Sequence, residues 1–102
     1  MWQIQIFLPI YMESCEPFPD EFFVDIKTEL TDKFGGLTMY TRAPAKGLWK
    51  GDEGKVVKDD IAIYEVMADE IDRDWWKECR LKLEKQFKQA EIIIRAWQIE
   101  SL

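Results

Sequence analysis

Residues 60–99 read DIAIYEVMADEIDRDWWKECRLKLEKQFKQAEIIIRAWQI, and this stretch decides the fold. Its first part, 60–68, is short, apolar and rich in β-branched and aromatic side chains, as expected of a strand. From 72 to 88 the period changes. Trp76, Cys79, Leu83 and Phe87 fall on one stripe of a helix, with charged residues filling the rest. Asp72 is placed to cap the helix, Asp74 lies in its first turn, and Lys82, Lys85 and Lys88 gather toward its end. Each sign suits the helix dipole. Residues 91–99 return to a strand pattern. A strand, a helix and a second strand thus follow one another with short connections.

The first half repeats this order. In WQIQIFLPIY (2–11) Ile4, Ile6 and Leu8 alternate with Gln3, Gln5 and Phe7, a period of two. Pro9 withdraws a ladder donor and marks the strand's end. Residues 12–20 carry two prolines and several acids and form a connection, with Asp20 as a candidate cap. A helix is predicted over 21–34 from Phe23, Ile26 and Leu30, and Gly35-Gly36 stops it. LTMYTR (37–42) reads as a strand. Residues 43–59, with Pro44, Gly47, Gly51 and Gly54, form a long polar loop or hairpin arm. The order β-α-β-β-α-β predicts an α+β domain spanning 1–102: a ferredoxin-like, four-stranded antiparallel sheet with both helices on one face.

Composition narrows the function. The chain has 102 residues, net charge −6, no histidine and two cysteines. A chain of this length buries roughly two-thirds of its unfolded surface and needs no disulfide or metal to fold. Without histidine the commonest general base and metal ligand are missing. No metal site and no cofactor is expected. Cys15 and Cys79 stand 64 positions apart without CxxC spacing, which predicts reduced thiols and a cytoplasmic location. The apolar start lacks the basic region and cleavage site of a signal peptide, and no apolar run is long enough to span a membrane. An acidic chain without a basic-aromatic RNA-binding run makes nucleic acid an unlikely partner. Gly47, Gly51 and Gly54 do not have the spacing of a phosphate loop.

Four short runs carry a resemblance: Lys33-Phe34-Gly35-Gly36-Leu37-Thr38, Gly47-Leu48-Trp49, Asp59-Asp60-Ile61 and Asp74-Trp75-Trp76. They resemble a family of small uncharacterised bacterial proteins, over most of the chain from residue 33 onward. The resemblance implies a bacterial cytosolic protein with a ferredoxin-like fold. It carries over no functional residues.

With both helices on one sheet face, the other face is the place to look for function. Alternation puts Gln3, Gln5 and Phe7 of the first strand there, Thr38, Tyr40 and Arg42 of the second, and Ile93, Arg95, Trp97 and Ile99 of the last. The third strand is ambiguous. One parity turns Tyr64 outward and leaves Glu65 inside; the other buries Tyr64 and exposes Glu65. Taking the first, Tyr40, Arg42, Trp49, Tyr64, Arg95 and Trp97 are the candidate ligand-binding residues. The aromatics form walls, the arginines hold an anionic group, and Trp49 closes from the loop. So apolar a face predicts a homodimer packed sheet on sheet, or the long loop folding back over it with Trp49. The expected function is a cytosolic binding or interaction protein that dimerises through this face and takes a small anionic or aromatic ligand. The alternative is a dimeric α/β-barrel type enzyme acting on a small aromatic or carbonyl substrate, with Tyr, Arg, Asp or Glu in place of histidine.

Overall fold

The computed structural model describes residues 1–40, 46–50 and 56–102, with side chains outside 46–50 and 56–60. Its elements run β1 (Trp2–Pro9), α1 (Asp20–Phe34), β2 (Thr38–Tyr40), β3 (Lys46–Lys50), β4 (Val56–Ala68), α2 (Arg73–Gln86) and β5 (Ile93–Gln98). The sheet order β2-β4-β1-β5, antiparallel at every pairing, is the expected ferredoxin-like arrangement. Within the segment 43–59 the described residues, 46–50 and 56–59, are strand. β3 pairs with the first part of β4, Lys46 opposite Asp60 and Lys50 opposite Val56, as a hairpin arm.

Both helices lie on one face because their apolar stripes share one core with one parity of the sheet. Ile26 and Leu30 of α1 meet Trp76, Cys79 and Leu83 of α2, and Phe87 just beyond it, over Ile4, Ile6, Leu8 and Ile92. Phe87 is a hub, with Phe18, Phe22 and Phe23 ring centroids 4.9, 5.5 and 5.4 Å away. The helix ends follow their sequence signals, with two exceptions. The Asp72 side chain accepts the Trp75 N–H at 3.1 Å, and Gly35 closes α1 with φ 78°. Pro19, not Asp20, occupies the cap position of α1; Asp20 begins the helix, where its charge faces the dipole. Lys88 closes α2 with φ 52°. The Gln89 N–H donates to the Glu84 carbonyl at 2.9 Å, the wrap that usually recruits glycine.

The structure resolves the ambiguous strand. Ala62, Tyr64 and Val66 of β4 point into the core, and Tyr64 is 2% exposed. Placing Tyr64 on the open face is therefore incorrect. The core has room for a large ring there, whereas Glu65 in its place would be a buried charge without a partner.

Candidate functional site: the open face of the sheet

Register arranges the open face in rows. Cross-strand partners share a face, so Thr38, Glu65, Gln5 and Arg95 form one polar row across β2, β4, β1 and β5. On one side lies an apolar row of Tyr40, Ile63, Phe7 and Ile93. On the other side stand Met67, Gln3 and Trp97. Ile93 is 50% exposed, Tyr40 46% and Trp97 39%.

Glu65 organises the β4 side of this row. Gln5 Nε2 donates to its Oε1 at 2.5 Å, and the Tyr40 hydroxyl donates to its Oε2 at 3.3 Å. The Glu65 charge beside it, with some burial and the hydrogen bond, raises the Tyr40 pKa. Ionising that phenol would place two negative charges side by side. At the opposite end of the row the Arg95 guanidinium lies 4.4 Å from the Phe7 ring centroid. Gln5 separates it from Glu65, and among the described residues Arg95 joins no ion pair. The row therefore carries an anion and a cation held apart.

Beside Glu65 is a concavity of about 350 Å³, at the start of β2, where the edge of β4 past Glu65 is open beside Gly35-Gly36. Gln3, Thr38, Glu65 and Met67 line its mouth. A carboxylate with amide and hydroxyl groups around it suits a cationic or hydrogen-bond-donating group better than an anion.

Of the expected site residues, Tyr40, Arg95 and Trp97 stand on this face. Tyr64 lies in the core. Arg42 lies outside the described residues, and Trp49 is placed by its backbone alone, in β3 opposite Val57. Glu65, Gln5 and Thr38 were not among the expected ligands. Aligning Gln5 between Glu65 and Arg95 requires the strand register, which alternation within each strand does not supply.

No family model and no curated protein matches the chain. The family resemblance thus rests on its short motifs alone. Among solved structures, a phage SAM lyase in complex with S-methyl-5′-thioadenosine has a similar fold. The TM-score is 0.58 and the identity 13%, over 95% of this chain and 80% of that one. At that identity the likeness establishes the fold and extends to no residue role. Among the described residues no helix is long and apolar enough to cross a membrane.

Proposed function

We propose that the chain is a small cytoplasmic binding protein that forms a homodimer through the open face of its sheet, with the row Thr38–Glu65–Gln5–Arg95 setting the register. One observation carries this reading: a separated anion and cation share a row flanked by apolar side chains. A two-fold axis parallel to β1 lays two such faces together and exchanges their β4 and β5 sides. Rows meet like rows, apolar on apolar, while Arg95 of each copy comes over the Glu65 side of the other. Sheet twist turns this alignment by about 30°, within reach of an arginine. The arrangement is self-complementary, as a two-fold interface requires.

Size-exclusion chromatography with light scattering is the test. The expected mass is twice the 12.2 kDa of the chain. Arg95→Glu and Glu65→Arg each weaken the dimer, and the double swap restores it. A monomer throughout the micromolar range, or a double swap no better than either single one, refutes the reading.

The concavity beside Glu65 supports a second reading, a small-substrate enzyme in which Glu65 holds a cationic group or moves a proton. The ligand of the similarly folded lyase supplies an aromatic probe. Saturable binding of S-methyl-5′-thioadenosine that Glu65→Gln abolishes favours the enzyme; no binding leaves the interaction protein.

A further inference from the structure

The other side of the sheet carries a different charge pattern. Arg73, Lys77 and Arg80 stand at i, i+4 and i+7 on α2 and share one helix face. That face overlooks the edge strand β5 across a groove of about 470 Å³. The groove is lined by these three cations, with no acid among its lining residues; Arg95 also borders it, but its guanidinium lies over Phe7 on the open face and adds no charge here. In a chain of 20 acids and 14 bases this is a local reversal of the overall charge. Among the described residues none of these three α2 cations joins an ion pair. Like charges one turn apart repel, so the helix gains nothing from the cluster by itself. The floor is apolar: Trp2, Ile71, Trp76 and Ile94. Trp2 is half-buried, with the Arg73 guanidinium 5.9 Å from its ring centroid.

We propose that this groove binds a small organic anion carrying a phosphate on a planar aromatic body, the nucleoside monophosphate class. Two arginines and a lysine match a phosphate dianion, the arginines through paired donors. The Trp2 indole offers a stacking surface for a ring held beside it. The volume lies within the usual range for small-molecule sites, ~300–1,000 Å³. Acids at 69, 70, 72, 74 and 78 flank the cations in sequence, which confines the positive field instead of extending it as a track for a polymer. The site lies on the helix side of the sheet and does not depend on the dimer.

Calorimetric titration of the full chain with adenosine 5′-monophosphate, adenosine and inorganic phosphate at low salt tests this. The monophosphate binds saturably, and adenosine and phosphate each bind at least about tenfold more weakly, because each supplies half of the recognition. Lys77→Ala and Arg80→Ala each weaken the monophosphate about tenfold with unchanged thermal melting, while Glu78→Gln leaves binding intact. The proposal is overturned if the monophosphate does not saturate, if phosphate alone binds as tightly, or if either cation can be removed without loss. Binding of a single-stranded oligonucleotide or an anionic vesicle without the monophosphate overturns it in favour of a polyanion surface.

Discussion

Tyr64→Ala tests the assignment on which the open face depends. Tyr64 is 2% exposed and sits opposite Ile6 on one neighbouring strand and Met39 on the other. Removing a buried aromatic ring costs about 3–5 kcal/mol, combining lost transfer energy with the cavity left behind. Against a total stability of about 5–15 kcal/mol for a domain, that is a large fraction. The melting temperature drops by at least about 12 °C at the usual sensitivity for this chain length. Glu65→Ala, one residue away, removes two hydrogen bonds at a half-buried carboxylate and costs about 1 kcal/mol. Urea unfolding of both variants, compared at constant m, provides the measurement. If Tyr64→Ala falls within about 1 kcal/mol of the parent, or costs less than Glu65→Ala, the parity of β4 is reversed. Glu65 then leaves the open face, and both readings built on it fail.

The alkaline limb of stability follows from two groups kept neutral in the core. Burial pushes the Tyr64 phenol up to about 12 and, aided by Glu29, the Cys79 thiol up to about 11. Both deprotonate more readily when unfolded, so the stability they protect is whole below about pH 9 and declines as the pH rises toward 12. A urea midpoint that stays constant across that window contradicts the burial of these groups. At neutral pH a thiol reagent modifies exposed Cys15 first and reaches Cys79 only on unfolding; equal rates would place Cys79 at the surface. Lys88→Gly relieves the positive φ at the end of α2 and raises stability by about 0.5–1 kcal/mol in the same urea assay. A loss would show that the lysine side chain holds that turn.

The helices were legible because each sequence signal acts locally. The Asp72 cap, the Gly35 stop and the stripe ending at Phe87 need only their own neighbours. β1 was legible because glutamine alternates with isoleucine there, and only one of its faces tolerates burial in a hydrocarbon core. The arm formed by β3 and the start of β4 was half legible, since glycine and proline marked a reversal without fixing its pairing. The polar row was not legible. It exists only when Glu65, Gln5 and Arg95 are brought level, and register is a property of pairs of strands.

The ambiguity at β4 and the composition of the open face are one physical fact. In IAIYEVMA (61–68) both parities are apolar: Ala62, Tyr64 and Val66 on one side, Ile61, Ile63 and Met67 on the other, with Glu65 as the lone dissent. A strand that is apolar on both sides is the pattern of a strand covered on both sides. The helices cover one. Glu65 therefore sits where water was expected but where apolar neighbours stand above and below it, and Gln5 and Tyr40 hold it in place. A carboxylate held by two donors amid apolar side chains can receive a further cation without reorganising. In the proposed dimer, Arg95, over Phe7 and in no ion pair among the described residues, is the cation that would meet this carboxylate in a second copy. The two-sided apolar pattern that obscured the strand's parity in the sequence is the same pattern that the proposed dimer would cover.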